Sequence, residues 1–398
     1  MSILRMLTAG ESHGPELTAI LEGMPAGVPL APEDINRDLA RRQKGYGSGG
    51  RMRIERDRAR ISGGVMAGRT TGAPIALHIT NRDWKNWRAR EIPPMTVPRP
   101  GHADLSGAVK YGYADLRLAL ERASARETAA RVAVGAICRR LLAEFGIAVG
   151  GYVVEIGGVA AQFSDDPPDY PARWEAARAS EIGCPDPQAA EAMRTAIREA
   201  KIAKDTLGGV IEVVALGVPP GLGAHVHYDR RLSGRLVGAA CSVPSVKGAE
   251  IGPAFANARL RGTQVHDAIA RDTSGQLHRP TNRAGGLEGG MTNGQPIVLR
   301  AALKPISTTL TPLPSVDLAS GEPAPTRYER SDICAVPRAV VVLEAVIAFV
   351  LADELLRKLG GDSLEELRPR FQALRRAHLD DLPMSGQPWR FGYEEWEA

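Results

Sequence analysis

The sequence has few features that would direct the protein to a membrane, a disulfide framework or a zinc site. Its four cysteines lie far apart and form no CxxC pair, so reduced thiols are expected. The most apolar run, Ala339–Ala352, is too short to span a bilayer and includes Glu344. No long apolar segment follows the first methionine, so no signal peptide is expected. We therefore expect a soluble protein of the cytoplasm.

The chain also carries little net charge. The net charge is +4 over 398 residues, without a basic tail or lysine run, so nucleic acid is not an expected partner. Most of the positive charge is arginine, whose planar guanidinium pairs well with carboxylates and phosphates. This composition favours an anionic small-molecule ligand, although a GC-rich genome would also enrich arginine. The chain is long enough to bury a large core.

Two glycine motifs resemble well-known signatures but fail on context. Gly10–Gly14 matches G-x-S-x-G, yet a strand pattern follows where the hydrolase elbow needs a helix. Gly45–Gly50 contains G-x-G-x-x-G, but it follows a helix instead of preceding one, so a dinucleotide-binding fold is not predicted. We interpret this second loop, bordered by Arg42, Arg51 and Arg53, as a flexible lid with anion contacts.

The densest glycine segment, Thr281–Thr309, predicts a phosphate cradle. Its glycines allow positive φ and let backbone N–H groups converge on an anion. A strand over Pro296–Leu303 precedes Lys304–Thr309, which combines a cation, a rigid proline and three hydroxyls. The alternative is a glycine-rich surface hairpin with a polar exit.

Two histidines lie in loops whose backbone is restricted by glycine or proline. His13 follows Gly10 in a turn between two strands, and His102 shares the Pro98–Asp104 loop with Arg99. A stiff loop lowers the entropic cost of holding such side chains in place. An ordinary surface histidine and a proline-rich linker remain the alternatives at these two positions.

A helix predicted over Leu116–Phe145 carries an unfavourable pair of like charges. Arg122 and Arg126 stand four residues apart, which destabilises an isolated helix. An anion bound over that face would explain them, and so would neutralisation by Glu121 and Glu127. The sequence leaves both explanations open.

The predicted elements favour an α+β fold. Strand-rich halves cover about 1–115 and 205–310, core helices about 116–145 and 337–359, and a helical insertion about 163–204. No regular βαβ alternation appears, so a parallel doubly wound sheet is disfavoured.

In this order, the segments resemble one family, chorismate synthase. The matching motifs span nearly the whole chain: GESHG (10–14), RRQKGYGSGGR (41–51), PRPGHAD (98–104), ERASARETAARVAVG (121–135), TNRAGGLEGGMTNGQP (281–296), KPISTT (304–309) and ERSDICAVPR (329–338). The resemblance implies antiparallel β-sheets packed around a central helical layer, a β-α-β sandwich in a single large domain. It also implies a homotetramer.

The activity implied by this resemblance is a carbon–oxygen lyase reaction acting on a phosphate. Family members convert 5-enolpyruvylshikimate 3-phosphate to chorismate and phosphate by an anti-1,4-elimination, the last step of the shikimate pathway to aromatic amino acids. Reduced FMN is required although the reaction has no net redox change. Two other classes stay open: a flavin oxidoreductase that transfers hydride, and a non-catalytic flavin or anion-binding protein.

The resemblance also implies roles for individual residues. His13 and His102 would be protonated acids, one beside the leaving phosphate and one beside the flavin, while Asp332 would assist proton removal near flavin N5. Ser12 and Ser124 would orient water or flavin. Five arginines would clamp the substrate anions: Arg42, Arg51, Arg99, Arg126 and Arg330. The FMN site would comprise Arg122, Ala123, Ser124, Gly289, Lys304, Pro305, Ile306, Ser307, Thr308 and Arg330.

One departure from the family pattern concerns the glycine loop. Many members have arginine where this chain has Ser48, so one anion contact is either missing or supplied by Arg53. NADPH, if it reduces the flavin here, would bind at Arg42 and Ser48. No sequence feature declares such a reductase activity, and we expect the flavin to be reduced elsewhere.

Overall fold

A computed structural model describes residues 3–50, 54–164, 166–329, 331–389 and 392. Arg51, Arg53 and Arg330 therefore lie outside the described residues. The strands, in chain order, are β1 (Arg5–Ala9), β2 (Glu16–Glu22), β3 (Ala59–Gly63), β4 (Val65–Met66), β5 (Arg69–Thr70), β6 (Ile75–Thr80), β7 (Ala148–Ile156), β8 (Val159–Ala160), β9 (Gly209–Leu216), β10 (Val246–Ile251), β11 (Ala270–Arg271), β12 (Leu277–His278), β13 (Leu287–Glu288), β14 (Met291–Thr292), β15 (Ile297–Leu303), β16 (Pro314–Val316) and β17 (Pro323–Pro325).

Helices alternate irregularly with these strands. They are α1 (Pro32–Gln43), α2 (Trp84–Trp87), α3 (Asp104–Tyr111), α4 (Arg117–Ala123), α5 (Thr128–Ala143), α6 (Tyr170–Ala179), α7 (Pro187–Ile202), α8 (Leu232–Cys241), α9 (Ala254–Asn257), α10 (Gly262–Val265), α11 (Val336–Leu359) and α12 (Leu364–Gln372). Single turns of 3₁₀ helix cover Ala125–Glu127, Tyr228–Arg230 and Leu379–Asp381.

Two antiparallel sheets form the outer layers of the fold. The first has the strand order β1-β2-β6-β3, and the second has the order β10-β15-β9-β7-β8. In the second sheet β15 pairs with both β10 and β9, so a strand late in the chain joins strands that come much earlier. The short hairpins β4-β5, β11-β12, β13-β14 and β16-β17 lie outside these sheets.

Helices α5 and α11 pack against each other between the two sheets. Helix α5 contacts β2 and β6 of the first sheet, whereas α11 contacts β7 and β9 of the second. Both helices are therefore buried around most of their circumference, which explains why α11 is apolar on nearly every face. The α+β sandwich with a central helical layer is confirmed by this arrangement.

The two central helices approach very closely at Gly135. A Cβ added there would lie 2.3 Å from the Cβ of Ala345 and 2.4 Å from its Cα. Only glycine permits this approach, because real Cβ atoms do not come so near another carbon. The pair therefore sets the spacing of the middle layer.

The prediction of one helix over 116–145 is wrong at its centre. Ser124 adopts an extended backbone with φ −62° and ψ 140°, and it separates α4 from the 3₁₀ turn and α5. Its hydroxyl accepts the N–H of Arg126, a local bond that replaces the helical one. The carbonyl of Ala125 is instead held by Arg42, whose Nη2 donates to it at 2.8 Å.

Two helices cover much of the segment between β8 and β9. The helical insertion over 163–204 contains α6 and α7, and Trp174 of α6 is buried against the outer face of the second sheet. Within the described ranges, no helix combines the length and apolar content needed to cross a membrane.

Candidate active site

Several of the loops singled out in the sequence converge on one cavity of about 450 Å³. It opens where the β1–β2 turn, the loop before α3, the break between α4 and α5, and the segment after β15 meet. The residues predicted for catalysis or binding that line it are Ser12, His13, Arg42, Arg99, His102, Ala123, Ser124, Arg126, Lys304, Ile306, Ser307, Thr308 and Asp332.

His13 is held at the rim of this cavity by Glu121. Its Nδ1 lies 2.7 Å from Oε1 of Glu121, and its backbone N–H donates to Oε2 at 2.8 Å. The indole of Trp87 lies against the imidazole, with 4.0 Å between ring centroids. Burial alone would raise the pKa of Glu121, but the hydrogen bonds and charge of His13 outweigh it and lower that pKa.

His102 lies in a second carboxylate-centred cluster. Asp104 accepts hydrogen bonds from Arg99 through Nε at 2.8 Å and Nη2 at 2.9 Å, a bidentate pair. The same carboxylate lies 2.5 Å from Nδ1 of His102. Burial would raise the pKa of Asp104, but the bonds from Arg99 and His102 lower it strongly, so the carboxylate remains charged.

Arg42 and Arg126 form the buried floor of the cavity. Arg126 donates from Nη1 to both oxygens of Asp57, at 2.7 and 2.8 Å, and from Nε to Asn81. Arg42 reaches Asp57 at 3.3 Å and Thr128 at 2.9 Å. Burial, followed by the charges of nearby guanidinium groups, lowers the pKa of Arg42 to about 9.

One atom of this floor has no partner among the described residues. Nη2 of Arg126 is buried and makes no hydrogen bond, although the other nitrogens of the same guanidinium are paired. Leaving a buried charged donor unpaired costs free energy, about 1–3 kcal/mol or more. An anionic ligand in the cavity would satisfy this donor.

Ser12 and Ser124 meet because the helix breaks at Ser124. The hydroxyl of Ser124 donates to that of Ser12 at 3.1 Å, joining the β1–β2 turn to the start of the α4–α5 junction. Ser12 is buried at 2% exposure, so this contact lies inside the protein and not on its surface. Both hydroxyls line the cavity.

Asp332 is brought to the cavity by the glycine loop. The N–H of Gly49 donates to Oδ1 of Asp332 at 2.6 Å, and Arg338 pairs with Oδ2. Arg338 also donates from Nε to the carbonyl of Arg42 at 2.9 Å. Asp332 is therefore oriented by the loop interpreted as a lid and by the first turn of α11.

The Lys304–Thr308 segment forms one wall. Nζ of Lys304 donates to the hydroxyl of Ser307 at 2.9 Å, and that hydroxyl donates to the carbonyl of Gly101 at 2.8 Å. The hydroxyl of Thr308 accepts from Arg99 at 3.2 Å. Burial and the nearby charge of Lys247 lower the pKa of Lys304, as expected for a cation that has no carboxylate partner among the described residues.

Several predicted residues do not line this cavity. Gly289 lies between β13 and β14, beside His225 and Met291, and Pro305 is not part of the cavity wall. Arg122 is directed to the first strand, where it donates to the carbonyl of Thr8 at 2.8 Å. Arg51 and Arg330 lie outside the described residues.

Glu121 and Glu127, the carboxylates expected to neutralise Arg122 and Arg126, bind other residues. Glu121 binds His13, and Glu127 accepts a hydrogen bond from Arg131 at 3.0 Å. Arg126 instead pairs with Asp57, and Arg122 with backbone oxygens, so the neutralisation hypothesis is wrong. The helix break separates the two arginines and removes the i,i+4 relationship on which it depended.

A larger cavity of about 1260 Å³ lies behind the glycine loop, and Ser48 lines it. Its basic lining residues are Arg37, Arg41, Lys44, Arg139, Arg140, Arg178, Arg198 and Lys201. His13, His102 and Asp332 all line the smaller cavity, which is therefore the candidate active site. Arg42 lines the smaller cavity, whereas Ser48 lines the larger one.

Sequence reasoning missed four residues that orient the site. Glu121, Asp104 and Arg338 lie inside the quoted motifs, where a carboxylate or arginine near each proposed catalytic group was a usable signal. Asp57 gave no such signal, because its partners Arg42 and Arg126 are 15 and 69 residues away in sequence. Only folding brings these three side chains together.

The cavity has a net positive lining. Among the described lining residues, five are basic, Arg42, Arg99, Arg126, Lys304 and Arg338, and two are carboxylates, Glu329 and Asp332. Arginine forks and hydroxyls are suited to carboxylates and phosphates, so the cavity can bind a small molecule with several negative charges. The two carboxylate-held imidazoles can exchange protons with such a ligand.

Comparison with known proteins gives a consistent result. The family model for chorismate synthase matches residues 4–356. A chorismate synthase of Trichlorobacter lovleyi is 56% identical over 381 residues, which cover 92% of this chain and 97% of that protein. One of Moorella thermoacetica is 56% identical over 385 residues, covering 94% and 99%.

The fold has a solved counterpart as well. A crystal structure of chorismate synthase aligns with a TM-score of 0.77 at 47% identity, covering 93% of this chain and 96% of that one. The range matched by the family model, residues 4–356, includes both sheets, α5, nearly all of α11 and the motifs that line the cavity. The chain belongs to the chorismate synthase family.

Proposed function

We propose that the smaller cavity eliminates phosphate from 5-enolpyruvylshikimate 3-phosphate to give chorismate, with reduced FMN as its cofactor. The observation that carries the proposal is the convergence of two carboxylate-held histidines and five basic side chains on one cavity. The substrate bears two carboxylates and a phosphate, which match this lining. Binding alone would not need two oriented imidazoles.

Substrate binding is assigned to the arginines of the cavity floor. The unpaired Nη2 of Arg126 and the forked guanidiniums of Arg42 and Arg99 would hold the substrate anions. Because these side chains are buried and already fixed by Asp57 and Asp104, little entropy is lost when the substrate binds. Arg51 and Arg330 are proposed to contribute further contacts.

The cavity wall formed by Lys304–Thr308 is proposed to bind reduced FMN. Lys304, Ser307 and Thr308 offer a cation and hydroxyls for its phosphate, while the small side chain of Ala123 and the apolar Val243 leave room for a flat ring. When bound, the reduced flavin supplies electron density that helps the phosphate leave and recovers it when the ring hydrogen is removed. Arg122, Pro305 and Ile306 are proposed to support this wall.

Proton handling is assigned to three groups. His13, with Nδ1 held by Glu121, would donate a proton from Nε2 to the departing phosphate. His102 would act as the acid beside the flavin, and Asp332 would assist removal of the ring proton. Ser12 and Ser124, joined by their hydroxyl contact, would orient water or flavin.

Two features of the proposal extend beyond one chain. We propose a cytoplasmic homotetramer, and the exposed apolar side chains of Tyr228 and Phe255 are available to bury in it. Since Gly289 does not line the cavity of its own chain, a role in holding FMN would require a neighbouring copy.

Arg42 and Ser48 face different cavities, so we propose that the flavin is reduced elsewhere and not by NADPH bound at those two residues.

An anaerobic assay tests this function. The protein would be mixed with 5-enolpyruvylshikimate 3-phosphate and chemically reduced FMN, while chorismate, phosphate and flavin oxidation state are followed together. Equal amounts of chorismate and phosphate, with flavin still reduced after many turnovers, are expected. Net flavin oxidation with each turnover would support an oxidoreductase instead, and tight FMN binding without product would support a binding protein. Oxidised FMN with NADPH tests self-reduction.

A further inference from the structure

Glu121 holds the β1–β2 turn by three contacts. Its carboxylate accepts from the backbone N–H of His13 and lies 2.7 Å from Nδ1 of the same residue. Its own carbonyl accepts the N–H of Ser12 at 3.1 Å. Both side chains are largely buried, with 16% of His13 and 14% of Glu121 exposed. These contacts fix the position of the imidazole and the end of its ring that faces the cavity.

We infer that Glu121 is a positioning residue for His13: it keeps a proton on Nδ1 and leaves Nε2 as the only ring atom that exchanges protons with the substrate. The inference rests on the proposed function of His13 as an acid. Because a carboxylate accepts but cannot donate, Nδ1 must carry the proton in this contact. The proton that comes and goes is then the one on Nε2.

The surroundings of the ring support this assignment. Trp87 covers one face of the imidazole, and the guanidinium of Arg117 lies 6.0 Å from the Trp87 ring. A 180° flip of the ring would keep its contact with the indole but would move Nδ1 away from Glu121, so the carboxylate contact decides which nitrogen faces the cavity. Three described charged groups lie near the pair: Arg117, whose charge acts on Glu121, Glu329, whose carboxylate lies 3.8 Å from Arg117, and Arg90, whose guanidinium lies 5.4 Å from the Trp87 ring.

His102 differs in a way that makes the role of Glu121 specific. Nδ1 of His102 lies between an acceptor, Asp104 at 2.5 Å, and a donor, Nη2 of Arg99 at 3.0 Å. The Asp104 contact also requires a proton on Nδ1, but there Arg99 binds the same carboxylate and takes up part of its charge. No guanidinium among the described residues hydrogen-bonds Glu121, so its charge is available to stabilise a protonated His13.

The pH dependence follows from these charges. The lowered pKa of Glu121 keeps it ionised through the neutral range, so the carboxylate beside Nδ1 of His13 is negatively charged there. A step that needs protonated His13 is lost as pH rises. Replacing Glu121 with glutamine keeps the shape but removes the negative charge that lies against the imidazolium at Nδ1. The loss of activity in Glu121→Gln should therefore occur at lower pH.

The first test is the pH profile of kcat for Glu121→Gln under anaerobic conditions with reduced FMN. We expect a fall of about 10- to 100-fold near pH 8, a smaller fall near pH 6, and unchanged FMN affinity. Glu127→Gln is the matched control, because Glu127 pairs with Arg131 outside the cavity. An equal loss at every pH would indicate a merely structural role and overturn the inference, as would an unchanged profile.

A second measurement uses the unaltered protein and does not depend on catalysis. In protein labelled with [15N]histidine, with His13 assigned by its loss in His13→Gln, Nδ1 should stay protonated while Nε2 alone titrates. Titration of Nδ1, or a neutral form protonated on Nε2, would overturn the inference. If wild-type protein makes no chorismate but the nitrogen pattern is as expected, the proposed function fails while the pairing of His13 with Glu121 stands.

Discussion

The guanidinium groups of Arg42 and Arg126 meet at a single carboxylate. Asp57 accepts from Arg126 at 2.7 and 2.8 Å and from Arg42 at 3.3 Å, and all three side chains are buried. One negative charge therefore serves two positive ones. The cavity floor keeps an excess positive charge that a substrate anion would neutralise, and this excess makes the arginines suited to binding.

Arg126→Lys should weaken substrate binding more than folding. Lysine keeps the charge but lacks the fork that reaches Asp57, Asn81 and the ligand together. Charge-assisted hydrogen bonds contribute about 1.5–3 kcal/mol, so kcat/KM should fall about 10- to 100-fold. Steady-state kinetics would measure this, with Arg131→Lys on α5 as the control. An unchanged kcat/KM would contradict the assigned role.

Lys304→Met should weaken FMN binding through the phosphate alone. Loss of this cation is expected to raise the Kd for FMN about 10- to 100-fold and to leave the Kd for riboflavin, which lacks the phosphate, unchanged. Fluorescence titration would measure both. Equal weakening for the two flavins would instead indicate a disturbed ring site.

The pH range of FMN binding depends on the same lysine. Because burial and Lys247 lower the pKa of Lys304, its charge is lost at a lower pH than that of an ordinary lysine, and FMN affinity should fall there. Lys247→Met removes the nearby positive charge from an exposed position outside the cavity wall. It should shift the fall in affinity to higher pH, and a shift to lower pH would contradict this account.

Asp104→Asn should destabilise the protein in a pH-dependent way. The native pKa of Asp104 lies below its ordinary value of 3.8, so ionised Asp104 stabilises the fold above that pH. Removing the charge leaves Arg99 buried and unpaired, at a cost of about 3–5 kcal/mol in unfolding free energy. Urea unfolding should show this difference at pH 7 and a smaller one as pH falls below about 4. A difference that does not change with pH would contradict it.

Gly135→Val should destabilise the central helix pair. The added atoms would overlap Ala345 of α11, and overpacking of this kind costs about 1–3 kcal/mol. Gly238→Ala is the matched control, because Gly238 lies in α8 with no atom within 4 Å of an added Cβ. That control should be neutral or stabilising by up to about 1 kcal/mol. Equal effects of the two changes on urea unfolding would contradict this interpretation.

The sequence by itself determined several long elements and the family, and the family resemblance implied the sandwich fold. Strands such as β6 and β15 and the helix α11 follow from local hydrophobic pattern and proline or glycine boundaries, which act over a few residues. The family motifs could be recognised in the sequence as well, because the residues of each motif are adjacent in the chain. His13, His102, Asp332 and Lys304 were all predicted in this way, and all line one cavity.

Tertiary structure alone decided how those residues are held. The break at Ser124 combines a local bond, from the N–H of Arg126 to the Ser124 hydroxyl, with a long-range one, from Arg42 to the carbonyl of Ala125, and only folding supplies the second. The partners of Glu121 and Asp57 were likewise set by folding, since a carboxylate pairs with whichever cation the packed core brings near. Local physics specified the pieces, and long-range packing of two sheets on one helical layer determined which charges meet.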